Sequence, residues 1–312
     1  MKAVVTGGLG QIGSHVAELL LARGDQVVVI DNLATGRREH LAAHPALRVV
    51  EDTIADKALV DSIFDEFRPD AVIHAAASYK DPDDWHNDAL TNCVGGANII
   101  YAAKHFGVGR FVYFQTALCY GLRPKQHPIT LDHPRNPAPN SYAVSKTANE
   151  QYLEMSGLDF VTFRLANVVG PRNQAGPLPI FYQRLKDGKK CFVTKARRDF
   201  VFVGDLAKVV IRAIDGTGHG TYHFSSGTDI SIQELYDAVV TAMQLDPRPQ
   251  ADVRDLGPDD VESILLDPAR TFVDFGRPQF TALQTTVQAA VDYYREHGTL
   301  GEYTHLRLQS AR

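Results

Sequence analysis

Tyr142 and Lys146 stand four residues apart in the segment Tyr-Ala-Val-Ser-Lys, and side chains of these types can transfer protons. In a helix this spacing places both side chains on one face, one turn apart. A phenol with its ordinary pKa of ~10 is a poor base at neutral pH, but a neighbouring ammonium and a bound cation would stabilise its anion. The pair is therefore either an acid/base site or an amphipathic surface pair, and the spacing alone does not distinguish the two.

A glycine-rich segment, residues 6–13, lies between a strand-like run and a helix-patterned one. Its glycines permit a tight turn and let the backbone approach a pyrophosphate at the helix N-terminus. Asp31 follows about 20 residues later, at the end of the second strand-like run, where an acid would meet the adenosine ribose hydroxyls. These features predict a dinucleotide site, whose nicotinamide would be the cation beside the phenol. A carboxylate repels a 2′-phosphate, so NAD is preferred to NADP, although Arg37 and Arg38 leave NADP open.

Thr116 lies in a loop, residues 115–121, that leaves the C-terminal end of a strand-like run. Ligands of doubly wound folds bind beyond these strand ends. The Thr116 hydroxyl is therefore a candidate to hydrogen-bond the same substrate hydroxyl that Tyr142 deprotonates.

Short β-branched runs alternate with helix-patterned stretches in the first half of the chain, which predicts a doubly wound parallel α/β sheet covered on both faces. The candidate strands are 3–6, 27–31, 47–50, 71–75, 110–114 and 160–164, and the candidate helices are 11–23, 57–67, 85–106, 142–155 and 283–297. Beyond residue 167 prolines and glycines interrupt the pattern. We expect a dinucleotide-binding domain over residues 1–166, with a return segment near 200–225, and a smaller α/β substrate-binding domain mainly over residues 167–312.

The composition excludes several other classes of function. The net charge of −5 over 312 residues argues against nucleic acid as the main partner. No apolar run reaches the roughly 18 residues of a membrane span, and no signal peptide precedes the first strand-like run. The three cysteines form no CxxC pair, as in a reduced cytoplasmic protein. No HExxH or clustered Cys/His spacing indicates a metal site.

Taken together, the motifs resemble those of the extended short-chain dehydrogenase/reductases, over most of the chain. The resemblance rests on segments 6–15 (TGGLGQIGSH), 31–33 (DNL), 74–77 (HAAA), 92–95 (NCVG), Thr116 with 120–121 (YG), 142–146 (YAVSK), 164–167 (RLAN) and 198–206 (RDFVFVGDL). It implies a Rossmann domain that binds NAD, and a homodimer paired through two helices of each subunit. In the nucleotide-sugar members, Tyr142 would be the acid/base, Lys146 would bind the nicotinamide ribose and lower the tyrosine pKa, and Thr116 would assist at the sugar 4-hydroxyl.

The resemblance also implies the residues that contact each ligand. Those for NAD are Gly7, Gly10, Gln11, Ile12, Gly13, Asp31, Asn32, Thr35, Gly36, Thr53, Ile54, Ala75, Ala76, Ala77, Asn92, Tyr142 and Lys146. Asn167 and Arg198 would contact the nucleoside diphosphate of a UDP-sugar.

Two positions after Thr116 favour one reaction of this family over its siblings. The 4,6-dehydratases carry an Asp–Glu pair there, whereas this chain has Ala117 and Leu118, which cannot move protons. A glutamate usual in the decarboxylases is also missing. A 4-epimerase needs neither group, since the 4-keto sugar turns over and receives its hydride on the opposite face. The sequence thus favours a nucleotide-sugar 4-epimerase. The alternatives are another sugar-nucleotide dehydratase or reductase, and a non-catalytic dinucleotide sensor.

The prediction of the sugar rests on the residues that could donate hydrogen bonds to a C6 carboxylate. Gln115, Thr116, Arg172 and Gln174 are suppliers of such donors, which places the UDP-glucuronate/UDP-galacturonate pair ahead of UDP-glucose/UDP-galactose. For Arg172, a phosphate or solvent contact is the other interpretation.

Two stretches depart from the family pattern. Residues 257–260 have glycine where many epimerases have an arginine that grips the diphosphate. Either Arg254 or another basic residue substitutes for that arginine, or the diphosphate is bound more weakly. The usual Gly-Asp after the third strand is Asp52-Thr53, which offers adenine a hydroxyl in place of a carboxylate.

Overall fold

Strands and helices alternate through the first half of the chain. The structure, a computed structural model, describes residues 1–79, 81, 83–257 and 261–300. The first-half elements are β1 (Lys2–Thr6), α1 (Gln11–Ala22), β2 (Gln26–Ile30), β3 (Leu47–Val50), α2 (Lys57–Phe67), β4 (Ala71–His74), α3 (Trp85–Asp88), α4 (Gly96–His105), β5 (Arg110–Thr116), α5 (Ser141–Met155) and β6 (Phe160–Leu165). A π-helical segment, Ala89–Gly95, joins α3 to α4, and short 3-10 turns lie at Arg38–His40 and Ala117–Tyr120.

Shorter strands predominate after residue 166. The elements are β7 (Asn167–Val169), α6 (Pro177–Lys186), β8 (Phe192–Thr194), β9 (Arg197–Arg198), β10 (Phe200–Phe202), α7 (Val203–Ile214), β11 (Gly220–Phe224), β12 (Ile230–Ser231), α8 (Ile232–Met243), β13 (Asp252–Arg254), β14 (Ser263–Ile264), α9 (Ala269–Phe275) and α10 (Leu283–His297). Helices α6, α8 and α10 enclose a separate apolar core that includes Leu178, Val239 and Val291.

One seven-stranded parallel sheet organises the fold, in the order β11-β6-β5-β4-β1-β2-β3. Helices α1 and α7 cover one face, and α2 and α4 cover the other. The chain moves outward from β1 to β3 and then returns to the other side of β1 at β4. The strand order therefore reverses between β1 and β4, where a crevice opens beyond the carboxyl ends of the strands.

The predicted α/β class is confirmed, and the predicted elements recur within one or two residues of their bounds. Two differences matter for the site. Residues 85–106 form two helices joined by the π-helical segment, where one continuous helix was expected. The seventh strand comes from residues 220–224, so the second half of the chain completes the sheet. Division into domains at residue 166 stays a prediction.

No helix among the described residues is both long and apolar enough to cross a bilayer.

Candidate active site

The glycine-rich loop turns tightly from β1 into α1 because it lacks side chains where the backbone is closest. Gly7 has φ +64°, and a Cβ there would lie 2.6 Å from the amide nitrogen of Ala76. A Cβ on Gly13 would overlap the carbonyl oxygen of Gly7. Gly10 is the N-cap of α1, and no side chain caps the helix or places an acid in its first turn. The helix N-terminus is therefore open to an anion.

Asp31 follows β2 and faces this loop. Its carboxylate accepts hydrogen bonds from the backbone N–H of Leu9 at 2.9 Å and of Leu33 at 2.9 Å. Burial raises the pKa of Asp31, while backbone hydrogen bonds from Leu33, Leu9 and Gly10 oppose that shift. A carboxylate can accept about four hydrogen bonds, so acceptor capacity is left for ribose hydroxyls.

Other predicted cofactor residues follow the ends of β2 and β4 and lie beside the loop. The hydroxyl of Tyr79 lies 3.4 Å from Thr35 Oγ1, a Cβ on Gly36 would meet the Asp31 carboxylate, and Asn32 Oδ1 accepts from the Ala34 N–H. Ala75 and Ala76 donate their backbone N–H groups to Thr6. The structure thus brings residues 7–13, 31–36 and 75–77 together at the crevice. A cradle that Cβ atoms would fill, an open helix N-terminus and a nearby carboxylate fit NAD.

Thr53 and Ile54 occupy the loop after β3. Thr53 Oγ1 accepts from the Ala55 N–H at 3.1 Å, and Ile54 is buried against Gly95 of the π-helical segment. Asn98 holds this loop by donating to the carbonyl oxygens of Ile54 and Ala55, each at 3.0 Å. Contacts of Thr53 and Ile54 with NAD stay a prediction.

Asn92 lies in the π-helical segment and is almost fully buried. Its Oδ1 accepts from the Ser78 N–H at 2.9 Å, and its Nδ2 donates to the Ser78 carbonyl and to Ser145 Oγ, each at 3.0 Å. These partners occupy the side chain, so the cofactor contact implied for Asn92 does not fit its placement. The residue instead ties the loop after β4 to α5.

Helix α5 carries Tyr142 and Lys146, the predicted acid/base pair. Asn140 caps it by accepting from the Ala143 N–H at 2.7 Å, which fixes Tyr142 in the first turn. The rings of Tyr142 and Tyr79 meet edge to face, with centroids 6.4 Å apart. Burial raises the pKa of Tyr142, with smaller contributions from Tyr79 and Asp88. The sequence predicted that Lys146 lowers the pKa of Tyr142. In the structure that pKa is raised, so the protein alone holds Tyr142 as a neutral phenol.

Lys146 lies one turn further along α5 and is 3% exposed. Burial lowers its pKa to about 7, and the nearby carboxylate of Glu150 opposes that shift. Its Nζ lies 4.2 Å from the centroid of the Tyr113 ring, in a cation–π contact when the lysine is protonated. Lys146 therefore changes its charge near neutral pH when no other cation is present.

A buried hydrogen-bonded chain fixes α5 against the sheet. Asn149 Nδ2 donates to His74 Nε2 at 3.1 Å, so Nδ1 of His74 carries the hydrogen and donates to Thr6 Oγ1 at 2.6 Å. The His74 ring stacks on Tyr113, whose hydroxyl donates to the Lys146 carbonyl at 3.0 Å. Burial lowers the pKa of His74 to about 3, which keeps the imidazole neutral. The chain joins the end of β1 to the helix that carries Tyr142.

Thr116 ends β5 and is partly exposed at the crevice, where its Oγ1 accepts from the Leu118 N–H at 3.2 Å. Gln115 points the other way: its Nε2 donates to Glu150 at 3.2 Å and its Oε1 accepts from the Thr116 N–H at 2.7 Å. With 1% exposure, Gln115 does not fit the predicted substrate contact. Alternation along a strand sends neighbouring side chains to opposite faces, and this is the reason.

The predicted diphosphate residues lie on strands of two different small sheets. Asn167 is exposed on β7, and its backbone N–H donates to the Asp199 carbonyl at 2.9 Å. Arg198 lies on β9, and its guanidinium donates to the Arg197 carbonyl at 2.7 Å. The structure brings Asn167 and Arg198 close in the fold, and their contacts with substrate stay a prediction.

Arg172 and Gln174 belong to the loop between β7 and α6. The guanidinium of Arg172 donates to both carboxylate oxygens of Glu18, at 2.6 and 2.9 Å, and to Ser14 Oγ at 3.0 Å, all on α1. This pairing occupies Arg172, so its predicted role toward a uronate carboxylate does not fit. Gln174 is buried and accepts from the Leu300 N–H at 2.8 Å, while its Nε2 has no hydrogen-bond partner among the residues that the structure describes.

The late stretch at 257–260 extends over residues 258–260, which lie outside the described residues. Arg254, the predicted substitute, is exposed on β13, where its guanidinium stacks 4.0 Å from the Phe192 ring centroid.

Sequence reasoning missed several residues that hold the site. Asn149 and Glu150 follow Lys146 by three and four positions on one helix, and this spacing was a usable signal. His74 was seen only as part of a motif, and Ser145 only as a position between Tyr142 and Lys146. The roles of Tyr79 and Asp88 carry no sequence signal, because they act through proximity in the fold.

The strand order of the sheet reverses beside a glycine-rich loop, and helix α5 brings Tyr142 and the buried Lys146 to the same crevice. This arrangement defines a Rossmann-fold site of the short-chain dehydrogenase/reductase type. Residues 3–224 match the NAD dependent epimerase/dehydratase family. The chain belongs to this family.

Similar proteins cover nearly the whole chain. The UDP-glucose 4-epimerase of Mycolicibacterium smegmatis is 33% identical, over 95% of this chain and 99% of that protein. The crystal structure of the Bordetella bronchiseptica enzyme WbmH in complex with NAD+ is 69% identical, with a TM-score of 0.94 over 96% of this chain and 99% of that one. The same organism's WbmG, in complex with NAD and UDP, is 41% identical, with a TM-score of 0.89 over 98% of each chain.

Proposed function

We propose that the protein is an NAD-dependent UDP-sugar 4-epimerase. The observation that carries the proposal is the neutral, half-buried Tyr142 beside the buried Lys146 at a dinucleotide crevice, with Ala117 and Leu118 where further acid/base groups would stand. The similarity to a UDP-glucose 4-epimerase, and to structures solved with NAD and UDP, supports it.

Three side chains of the protein, Tyr142, Thr116 and Lys146, have separate roles in the proposed reaction. Bound oxidised NAD supplies a hydride acceptor and a positive charge at the crevice. Tyr142, as phenolate, would take the proton of the sugar 4-hydroxyl and would return it to the same oxygen, O4, after the 4-keto sugar has turned. The group that changes face is the hydride at C4, and the proton stays on the side of Tyr142. Thr116 holds that hydroxyl, and Lys146 holds a ribose and stabilises the phenolate. Because the protein alone raises the pKa of Tyr142, the phenolate depends on cations at the site.

For the sugar, we propose that UDP-glucuronate/UDP-galacturonate be tested ahead of UDP-glucose/UDP-galactose. Gln115 and Arg172 hydrogen-bond to other residues of the protein. Of the donors to a C6 carboxylate that the sequence suggested, Thr116 and Gln174 remain. The relative that is a UDP-glucose 4-epimerase favours the second pair.

The test is incubation of the purified protein with each UDP-sugar, without added cofactor, followed by NMR of the products. We expect conversion to the C4 epimer, with the two sugar pairs compared by turnover. Release of a 4-keto-6-deoxy sugar or of CO2 would contradict epimerisation. Stoichiometric consumption of added NAD(P)H would indicate a reductase. Bound NAD with no turnover of any sugar would indicate a dinucleotide sensor.

We also propose that the protein is a homodimer. Large apolar side chains are exposed on two adjacent helical segments of the described chain: Trp85, Val94 and Tyr101 on residues 85–105, and Val144, Tyr152 and Met155 on α5. A second copy of the chain would cover this face with the same face, as two-fold symmetry requires. Light scattering after size-exclusion chromatography should give twice the chain mass. The double variant Tyr101→Glu/Met155→Glu should give the monomer, and a monomeric wild type would refute the proposal.

A further inference from the structure

The peptide groups of Leu9, at the centre of the glycine-rich loop, are held from several sides. Its N–H donates to Asp31 at 2.9 Å. Its carbonyl accepts from the Arg37 N–H at 3.1 Å and from His40 Nδ1 at 2.7 Å. The side chain of Leu9 is fully buried. The position of the loop is therefore coupled to the orientation of His40.

The hydrogen on His40 is fixed by its partners. Nδ1 faces a carbonyl oxygen and must donate, so Nε2 is the acceptor and Tyr293 donates its hydroxyl to it at 2.6 Å. His40 is 3% exposed, and burial lowers its pKa to about 4, which agrees with a neutral ring. The bond to Leu9 and the bond from Tyr293 thus require the same tautomer and reinforce each other.

Tyr293 belongs to α10, which packs in the separate core of α6 and α8. A second bond joins the same parts of the chain, since Arg37 donates to the His297 carbonyl at 2.7 Å. The C-terminal helix therefore contacts the segment after β2 that supports the glycine-rich loop.

We propose that His40 and Tyr293 are positioning residues through which the C-terminal helix fixes the glycine-rich loop and slows the release of NAD. This inference rests on the proposed function, since NAD is the ligand of that loop. Neither side chain needs to touch the cofactor. The effect passes through the Leu9 carbonyl to the backbone that would cradle the pyrophosphate.

The first test is Tyr293→Phe, which removes the hydroxyl and keeps the ring. We expect NAD to dissociate three- to tenfold faster, the range that loss of one hydrogen bond produces. The rate is measured by rapid dilution into an NAD-scavenging enzyme, well below the unfolding temperature. Tyr236→Phe is the matched control: it removes the hydroxyl of another tyrosine of the same core, which donates to the Pro249 carbonyl at 3.1 Å and lies away from the loop. The control should leave the rate unchanged.

The second test separates the two bonds of His40. In His40→Asn the amide nitrogen can replace Nδ1 toward the Leu9 carbonyl, but nothing accepts from Tyr293. We expect the same acceleration as in Tyr293→Phe, and no further acceleration when the two changes are combined. Additive effects, or NAD release at the wild-type rate in both single variants, would overturn the inference.

Failure of the inference can be told from failure of the proposed function. The nucleotide that the wild-type protein carries is identified after heat release and chromatography. A wild type that binds no NAD removes the proposed function. A wild type that binds NAD while Tyr293→Phe and Tyr236→Phe release it equally fast removes only the role of His40 and Tyr293.

Discussion

Tyr142 and Lys146 have opposite departures from their ordinary pKa values, and burial causes both. It raises the pKa of the phenol and lowers that of the ammonium to about 7, because each group loses solvation of its charged form. The protein alone thus holds Tyr142 as a neutral phenol and leaves Lys146 only partly protonated at neutral pH. A cation bound beside the phenol would stabilise the phenolate, so the proposed acid/base function depends on occupancy of the dinucleotide crevice.

Replacement of Tyr142 by Phe should abolish epimerisation and spare cofactor binding. We expect turnover to fall at least about a hundredfold, because the proton of the 4-hydroxyl has no acceptor. Turnover is followed by NMR, and bound NAD by absorbance of the released nucleotide. Tyr236→Phe, which removes a phenol hydroxyl in the separate core of α6, α8 and α10, is the matched control. Full activity in Tyr142→Phe would remove the phenol from the mechanism.

Replacement of Asp31 by Asn should weaken the preference for NAD over NADP. The amide keeps one acceptor for Leu9 or Leu33 but removes the charge that repels a 2′-phosphate. We expect the ratio of the NADP and NAD dissociation constants to fall by at least about tenfold, measured by calorimetry on nucleotide-free protein. Asp52→Asn, an exposed carboxylate after β3, should not change the ratio. An unchanged ratio in Asp31→Asn would assign the selectivity elsewhere.

At the scale of elements, the π-helical segment links the cofactor crevice to α5. It turns Asn92 inward between Ser78 and Ser145, so one side chain connects the loop after β4 with the helix of Tyr142. Such segments recur at functional sites because the wider turn redirects side chains.

Asn92→Ala should impair both stability and turnover. The change removes three hydrogen bonds, two with the Ser78 backbone and one with Ser145 Oγ, so we expect the free energy of unfolding to fall by about 2–4 kcal/mol and turnover by roughly tenfold. Asn98→Ala removes two bonds from the same helical run without touching α5. It should lower stability in urea unfolding with little loss of turnover. Equal loss of turnover in both variants would contradict a specific role for Asn92.

Local patterns predicted the elements and the glycine-rich loop well, since their causes lie within a few residues. Helices α2 and α10 have the expected bounds, and Gly13 is required by its close approach to Gly7 within the same loop. Side-chain partners distant in sequence were not predictable. Gln115 meets Glu150 and Arg172 meets Glu18 only after folding, and these contacts withdraw both side chains from the predicted substrate site.

At the scale of the whole molecule, three buried histidines bridge separate elements as neutral rings. They are His40, His74 and His223, whose pKa values burial lowers to about 4, about 3 and about 4. His223 accepts from the Tyr120 hydroxyl at 2.6 Å and donates to the Asp267 carbonyl at 2.9 Å. A protonated ring could not accept any of these bonds.

The protein should therefore lose stability in mild acid. Each folded pKa lies below the unfolded value of ~6.5, so the contribution is complete above pH 6.5 and is lost as the pH falls toward 4. At pH 5 the loss is roughly 2 kcal/mol for each histidine. Urea unfolding between pH 7.5 and 5 measures it. His40→Asn should reduce this loss of stability by the share of one histidine, roughly 2 kcal/mol at pH 5. His105→Asn, at an exposed position, should leave the loss unchanged. Equal slopes in both variants would refute the assignment.

Strand β11 has a consequence for synthesis on the ribosome. It pairs with the outer edge of β6, and it is made more than fifty residues after that strand. Until residue 224 has emerged, the nascent polypeptide carries an open, apolar edge at residues 160–165, ready to join another unfinished copy. A gene shortened to end at residue 218 should therefore yield inclusion bodies. A translation pause between residues 165 and 224 should likewise favour aggregation.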